Sequence, residues 1–236
     1  MGGRGWMGRA VGVGLAVVGA ATWVWSAETP VMVQQAYLKA DVADASDQFG
    51  DAIAVDADTV VVGATLEDGS GVGPGAAHNN LAPAAGAAYV YVRSGGAWML
   101  QAVLKASNTG TNDRFGVSVA VSGDTIVVGA PGEASASTGV NGNETSNTAS
   151  SSGAAYVFVR NGGTWTQQAY LKASNTNASD AYGASVAIEG DLIAVGASDE
   201  DGGSAGVNGD QSSNTLSNSG AVYVYTRTGT VWEQEA

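Results

Sequence analysis

A short apolar pattern that recurs at a fixed distance constrains this chain more than any other feature of its sequence. Each copy reads Asp-Thr/Leu-Val/Ile-Val/Ala-Val-Gly-Ala, and the three copies occupy residues 58–64, 124–130 and 191–197. Their glycines are 66 and 67 residues apart, and three tryptophans, Trp98, Trp165 and Trp232, follow one another at steps of 67. A fixed period of this length is typical of stacked supersecondary units. The sequence therefore predicts three structural repeats.

Each repeat contains four segments with the composition of β-strands. In the middle copy they are residues 115–121, 124–130, 153–160 and 165–173. Tight turns at Ser122-Gly123 and Asn161-Gly162 join the first segment to the second and the third to the fourth. The second and third segments are apolar at nearly every position, which indicates that both of their faces are buried.

The fourth segment alternates in polarity and is interpreted as the edge strand of its sheet. Its apolar side chains are predicted to face inward, and these are Trp165, Ala169 and Leu171. Its polar side chains are predicted to face solvent, and these are Thr166, Gln168 and Lys172. A polar strand that carries lysine is one way to protect an exposed sheet edge.

Four-stranded antiparallel units at a fixed period predict an all-β fold, a β-propeller in which each repeat is one blade. The predicted blades span about residues 49–106, 115–173 and 182–236. A β-solenoid is the structural competitor, but its coils are much shorter than this unit. Residues 34–40 resemble a fourth strand without the preceding three, so the chain is expected to contain three blades and an orphan edge strand.

The repeat also resembles a known family. Phe115-Gly116-x-Ser118-Val119-Ala120, then Gly123-Asp124, then Val128-Gly129-Ala130-Pro131 is similar to the FG-GAP repeat of integrin α-subunit propellers and their bacterial secreted relatives. The resemblance implies a propeller of about seven blades that serves adhesion or ligand binding at the cell surface. We therefore expect the chain to be part of a longer propeller, with self-association of a partial ring as the alternative.

Some residues depart from the family pattern. Tyr182 replaces phenylalanine in the third copy, and Thr65 and Ser198 replace Pro131 in the first and third. Integrin-type repeats that bind calcium carry a loop of the form D-x-D-x-D-G between strands 1 and 2. Here only a short link such as Ser122-Gly123-Asp124 stands there, so the family's metal ligands do not transfer to this chain.

The N-terminal segment predicts export. Arg4 and Arg9 precede an apolar stretch over residues 10–25, and Ser26 and Ala27 follow it, so residues 1–27 are interpreted as a signal peptide. A retained membrane anchor is the alternative, although the stretch is shorter than the roughly twenty residues that a spanning helix needs. The remainder, residues 28–236, forms the repeat region, and we expect the protein to be secreted or on the cell surface, without membrane insertion after cleavage.

Charge and composition exclude several functions. The chain has no cysteine and carries nine basic and twenty-two acidic residues, of which removal of the signal peptide takes away two arginines. Nucleic acid and anionic membranes need basic surfaces, so neither is an expected partner. His78 is the only histidine and is predicted to be an exposed loop residue, which leaves no base for a serine hydrolase. The chain is therefore interpreted as non-catalytic, and an extracellular hydrolase is the least favoured alternative.

The long loops between strands 2 and 3 and between blades are the predicted functional region. Together they hold thirteen of the twenty-two acidic residues, so a protein or glycan ligand is expected on an acidic face. A calcium site is predicted in the third long loop, and its candidate ligands are Asp199, Glu200, Asp201, Asn208 and Asp210. The competing interpretation is that these residues only shape the loop, because Asp and Asn bond to their own backbone.

The function predicted from sequence is a non-catalytic adhesion or protein-interaction scaffold. A calcium- or carbohydrate-binding, lectin-like propeller is the alternative. No cofactor is predicted other than the candidate Ca²⁺.

Overall fold

The computed structural model describes residues 33–76 and 78–236. The chain divides into two units, residues 1–37 and residues 38–236. In the first unit only residues 33–37 are described, and Val33 and Tyr37 are exposed there. The predicted signal peptide, residues 1–27, lies outside the described residues.

The second unit contains three four-stranded antiparallel sheets, each with its strands in chain order. The first sheet consists of β1 (Phe49–Asp56), β2 (Thr59–Ala64), β3 (Ala87–Ser94) and β4 (Ala97–Leu104). The second consists of β5 (Ser118–Ser122), β6 (Thr125–Ala130), β7 (Ala154–Asn161) and β8 (Thr164–Leu171). The third consists of β9 (Tyr182–Glu189), β10 (Leu192–Ala197), β11 (Ala221–Thr228) and β12 (Val231–Gln234). The predicted all-β fold is confirmed, and the sheets are called blades 1, 2 and 3 below.

Successive blades pack face to face, which explains the apolar second and third strands. All six residues of β6 are buried, as are the first five of β7. Ile126 on one face of β6 belongs to a cluster with Val61 of blade 1, whereas Val127 on the other face belongs to a cluster with Ile193 of blade 3. Because side chains alternate along a strand, one β-branched strand fills the space on both sides of its sheet.

The recurring glycine is required by the close approach of neighbouring blades. A Cβ atom at Gly129 would lie 1.9 Å from the backbone oxygen of Gly183 in blade 3. At Gly63 it would lie 2.0 Å from the oxygen of Gly116 in blade 2. Only glycine tolerates a backbone at that distance, so this part of the repeat holds the blades together.

The structure corrects the prediction for the fourth strand. A β-bulge places Gln168 opposite no residue of β7, and the equivalent residue in blade 1 is Gln101. Lys172, predicted to face solvent, is fully buried. The reason is that the 131–153 loop covers this edge, where Val140 bridges Leu171 and the Lys172 amide donates to Gly139 O at 2.9 Å. The edge is thus protected by a loop instead of by a solvated lysine.

Residues 34–40 lie outside the strands that the structure assigns, so the predicted orphan strand is not formed as a strand. The part of the chain that the structure describes contains no helix with the length and hydrophobicity of a membrane span.

Candidate functional site: the long-loop end

The antiparallel strand order gives the second unit two different ends. Two-residue turns between strands 1 and 2 and between strands 3 and 4 lie at one end, called the short-turn end. The other end, called the long-loop end, carries the loops between strands 2 and 3, residues 65–86, 131–153 and 198–220. It also carries residues 38–48 before β1 and the links between blades, residues 105–117 and 172–181.

The short-turn end is held by a polar contact that repeats from blade to blade. Asp124 lies in the turn just before β6, and its Oδ1 accepts from Arg160 Nη2 at 2.7 Å. The Arg160 guanidinium lies over the Trp165 ring, 5.0 Å from its centroid. Arg160 and the Trp165 indole both donate to Oε1 of Gln101, the bulged residue of blade 1, at 3.3 Å and 2.8 Å.

The same contact joins blade 2 to blade 3. Arg227 pairs with Asp191 at 2.6 Å, and Trp232 donates to Gln168 Oε1 at 2.8 Å. Sequence reasoning missed this contact, although the recurrence of Asp, Arg, Trp and Gln at the repeat period was a usable signal. Its regular repetition assigns the short-turn end to blade assembly.

The long-loop end rests on buried ion pairs. Lys172 Nζ donates to Glu133 Oε2 at 3.0 Å, with side-chain exposures of 0% and 1%. Lys105 donates to Glu67 Oε2 at 2.6 Å in blade 1, again with both groups buried. In each pair the lysine follows the fourth strand and the glutamate begins the loop that follows the second strand. The pair therefore fixes the base of the long loop to its own blade.

Further hydrogen-bond donors satisfy the buried carboxylate of Glu133 in blade 2. Asn108 Nδ2 and the Ser135 amide both donate to Glu133 Oε1 at 3.0 Å, and Lys172 also donates to Ser152 Oγ at 2.7 Å. Burial lowers the pKa of Lys172, and the neighbouring Glu133 opposes that shift. A buried charge is stable only when it is paired and hydrogen-bonded in this way.

Two further carboxyl groups at this end titrate unusually high. Burial raises the pKa of Asp113 to about 6, although the Gly110 amide donates to its Oδ2 at 2.7 Å. Burial likewise raises the pKa of Asp180 to about 6, against a hydrogen bond from the Asn177 amide. Glu133 adds to the shift at Asp113, and Glu200 adds to that at Asp180.

The structure places the five predicted calcium ligands in one loop but in different environments. Asp199, Asn208 and Asp210 are exposed, Asp201 is half-buried and Glu200 is buried. Each bonded carboxylate accepts from a backbone amide of its own loop, and Glu200 Oε1 also accepts from Asn175 Nδ2 of the 172–181 link at 2.9 Å. Glu200 Oε2 accepts from the Gly202 amide at 2.7 Å, Asp201 Oδ1 from the Asn218 amide at 2.8 Å, and Asp210 Oδ1 from the Ser212 amide at 2.9 Å.

The described residues contain no group of three or more His, Cys, Asp or Glu side chains arranged to hold a metal ion. Backbone amides already use the carboxylates of the third loop, in the manner expected of loop-shaping Asp residues. The calcium site therefore stays a prediction.

His78 differs from its prediction as an exposed loop residue. Its side chain is only 21% exposed, and Nε2 lies 3.3 Å from Asp41 Oδ1 while Nδ1 lies 3.8 Å from Glu67 Oε1. Its ring also stacks against Tyr89 at 6.2 Å. In the first long loop His78 thus contacts the buried Glu67, and neither of the other two long loops contains a histidine.

Comparison with known proteins decides the family. The FG-GAP repeat model matches the chain three times, at residues 32–91, 98–158 and 165–225. The chain belongs to the FG-GAP repeat family. No curated protein matches it. FG-GAP repeats build propeller domains, and the three four-stranded sheets seen here have the strand order of propeller blades. Such repeats typically serve protein interaction and are typically non-catalytic.

Proposed function

We propose that this FG-GAP protein is an adhesion or protein-binding scaffold, secreted or exposed at the cell surface, whose ligand binds the long-loop end. The observation that carries the proposal is the contrast between constant supports and variable loops. The Glu-Lys pair at the base recurs in blades 1 and 2. The 65–86 loop differs from the other two loops, and the 131–153 and 198–220 loops, which share Gly-Val-Asn-Gly and Ser-Asn-Thr, differ in charge at Asn143 against Asp210 and at Glu144 against Gln211. Variable loops on a rigid frame are the usual location of binding residues.

Charge supports the type of ligand. The exposed or half-buried acids at this end include Asp41, Asp44, Glu144, Asp199 and Asp210. Lys39 and Arg114 are the exposed lysine and arginine at this end. Such a surface attracts a partner with a basic face, and its contribution falls as salt screens the charges. The N-terminal pattern of two arginines before an apolar stretch supports export.

A second function, binding of calcium or a calcium-dependent glycan, is favoured by the density of acids in the third loop. Residues 198–220 hold four of them, against two in 65–86 and two in 131–153. If this loop binds Ca²⁺, the melting temperature of the chain is higher in Ca²⁺ than in EDTA, and Asp201→Asn removes the difference. An equal melting temperature in both buffers would refute this function.

The binding proposal is tested on an array of immobilised extracellular proteins and glycans. Wild-type protein is expected to be captured by at least one basic protein, with capture reduced at high salt. A variant with Glu144→Gln, Asp199→Asn and Asp210→Asn is expected to lose that capture. Equal capture of the variant and the wild type on every spot would contradict the proposal.

Localisation is tested by expressing the full chain in a bacterium. We expect recovery outside the cytoplasm, with a new N-terminus close to residue 28. Recovery of the uncleaved chain in the cytoplasm would contradict the extracytoplasmic assignment.

A further inference from the structure

The long-loop end of blade 1 exposes apolar side chains where that of blade 2 carries polar ones. Val42, Val72 and Leu81 are 43%, 58% and 77% exposed. Residues 65–86 contain two serine or threonine residues, against nine in residues 131–153. The two blades share one backbone design, so the comparison shows which apolar side chains the fold itself does not require.

Leu81 and Thr148 hold the same place in their loops. Each precedes a buried alanine, Ala82 or Ala149, whose carbonyl accepts from the amide three residues later at 3.1 Å. Thr148 is exposed although blade 2 packs against a blade on each side. Exposure at this place is therefore a property of the loop, and only the chemistry of the side chain differs.

Val72 takes the place of Thr138 in the same way. The residue that follows is a glycine in both loops, and its amide donates to Ala106 O in blade 1 and to Ala173 O in blade 2, at 3.2 Å and 3.3 Å. Thr138 is exposed. Two exposed positions that carry threonine in blade 2 therefore present apolar surface in blade 1.

Val42 takes the place of Asn108, since each stands three residues after the lysine of a Leu-Lys-Ala sequence. Asn108 Oδ1 accepts from the Tyr156 hydroxyl at 2.6 Å. Valine cannot accept a hydrogen bond, and the equivalent Tyr89 hydroxyl is buried without a partner among the residues that the structure describes. Blade 1 thus loses a hydrogen bond where its surface gains an apolar side chain, and stability of the fold does not account for that exchange.

Hydrogen bonds hold together the segments that carry these three side chains. Asn79 Oδ1 accepts from the Ser70 and Leu81 amides at 3.0 Å and 3.2 Å. Asn80 Nδ2 donates to Asp44 Oδ2 at 3.2 Å. The apolar side chains therefore belong to one part of the surface, called the blade 1 patch, which consists of residues 41–44, 70–72 and 79–81.

The blade 1 patch is ordered by contacts within the chain. His78 Nε2 lies 3.3 Å from Asp41 Oδ1, which links the loop to the segment before β1. Pro74 and Pro83 restrict the backbone of the same loop. A surface that is ordered before binding loses less conformational entropy when a partner docks.

Acidic groups border the patch. Asp41 and Asp44 are exposed, and residues 65–86 contain no lysine or arginine. Lysine and arginine can lay their apolar stems on an apolar surface while their charged ends face carboxylates. Apolar surface beside uncompensated carboxylates therefore suits a partner that is both apolar and basic.

We propose that the blade 1 patch docks a segment of another protein that presents an apolar side chain beside a lysine or arginine. The apolar side chain covers Leu81 and Val72, and the cation faces Asp41 and Asp44. A central apolar contact with charged groups around it is the usual arrangement of a binding hot spot. This inference rests on the proposed function, and it names the part of the long-loop end that binds and the chemistry of the ligand.

The test selects binders of the full chain from a library of random peptides displayed on phage. We expect the selected peptides to combine an aliphatic or aromatic residue with a neighbouring lysine or arginine. Val42→Asn/Val72→Thr/Leu81→Thr gives blade 1 the residues of blade 2, and its affinity for these peptides is expected to fall at least about tenfold. Selection of no binder, or of acidic peptides, would overturn the proposal.

Met99→Thr/Val231→Thr is the matched control. Both side chains are exposed and apolar, both lie in fourth strands, and blade 2 carries threonine at the equivalent positions 166 and 164. We expect this variant to keep the wild-type affinity. Equal affinity of the patch variant and the wild type, or an equal loss in the control, would overturn the assignment to the patch.

The acidic border is tested with Asp41→Asn/Asp44→Asn and with a peptide whose basic residue is replaced by methionine. Each change alone is expected to weaken binding about threefold or more and to reduce its salt dependence. Both changes together should weaken binding by less than the product of the two effects, because they remove the same contact. Effects that simply multiply would overturn the proposed pairing.

Failure of this inference is distinguishable from failure of the proposed function. If array proteins are captured equally by the patch variant and the wild type, but not by Glu144→Gln/Asp199→Asn/Asp210→Asn, the ligand binds the long-loop end away from the patch. If the wild type forms dimers in sedimentation velocity and the patch variant does not, a second copy covers the patch. Either result overturns the inference and leaves the first proposal standing.

Discussion

Two ion pairs in blade 2, one at each end of the sheet, show how burial changes the role of the same chemistry. Arg160 and Asp124 at the short-turn end are 2.7 Å apart, and Lys172 and Glu133 at the long-loop end are 3.0 Å apart. The Asp124 side chain is 69% exposed, whereas Glu133 is 1% exposed. Water screens the exposed pair of Arg160 and Asp124, so its net contribution to stability is small. Water cannot reach the pair of Lys172 and Glu133, so removal of one partner leaves an unsolvated charge.

The two pairs have different roles: the short-turn pair aligns neighbouring blades, and the long-loop pair supports a loop. The short-turn pair orients Arg160 over Trp165 and toward Gln101 of the preceding blade, so several weak contacts act together. The long-loop pair fixes the base of a loop that carries exposed polar and acidic residues. We therefore expect stability to depend most on the buried pair and ligand binding to depend on the residues outside it.

Removal of the buried cation should have the largest effect on stability. Lys172→Met leaves Glu133 buried with no cation, and we expect the free energy of unfolding to fall by about 3–5 kcal/mol. Chemical denaturation measures it, with Arg114→Met as the control at an exposed base. A loss below about 1 kcal/mol would place this pair in the class of exposed pairs.

Neutralising both partners should restore part of that loss. In Glu133→Gln/Lys172→Met, the glutamine oxygen can still accept from Asn108 and from the Ser135 amide. We expect the double variant to be more stable than Lys172→Met by about 1–2 kcal/mol, because no unpaired charge stays buried. The same denaturation curves measure the difference, and a double variant less stable than Lys172→Met would contradict the assignment.

Lowering the pH should stabilise the long-loop end. The pKa of Asp113 and of Asp180 is about 6 in the folded chain and about 3.8 in the unfolded chain, so the folded state binds more protons between these values. The favourable contribution of their protonation to the free energy of unfolding is fully present below pH 3.8 and is lost as the pH rises through 6. From pH 7 to pH 5 each group should add on the order of 1 kcal/mol.

Thermal melting between pH 5 and pH 7 checks this contribution. Asp113→Asn/Asp180→Asn should reduce the rise in melting temperature toward pH 5 by about 2–4 °C per kcal/mol. Asp56→Asn/Asp58→Asn at the short-turn end is the control. If the melting temperature of Asp113→Asn/Asp180→Asn rises toward pH 5 as much as that of the wild type, other groups cause the rise.

The smallest effect is expected at the short-turn pair. Asp124→Asn removes a charge that is mostly exposed, and we expect the free energy of unfolding to change by at most about 1 kcal/mol. The change should shrink further at high salt. A loss as large as that of Lys172→Met would remove the contrast between the two ends.

The blade architecture could be predicted because it depends on local pattern. Gly-Asp turns, β-branched runs and a fixed period place the strands to within about three residues of their observed bounds. The prediction for Lys172 was wrong because the alternation of polar and apolar residues in the fourth segment cannot reveal the bulge at Gln168 or the loop that covers the edge. The contacts of Glu133, His78 and Gln101 join residues far apart in sequence, and only the packing of the chain shows them.

The most direct test of the account compares two variants that each lose four acidic charges. The long-loop variant carries Glu144→Gln, Asp199→Asn, Asp201→Asn and Asp210→Asn. The short-turn variant carries Asp56→Asn, Asp58→Asn, Asp124→Asn and Glu189→Gln. Both are assayed for affinity toward the array proteins that capture the wild type.

The account predicts that the short-turn variant keeps the wild-type affinity within about twofold, since rim charges distant from a ligand act only weakly through screened solvent. It predicts that the long-loop variant loses at least about tenfold, because the charges that face the ligand are gone. Loss of binding in the short-turn variant together with wild-type affinity in the long-loop variant would contradict the claim that the long-loop end is the binding surface.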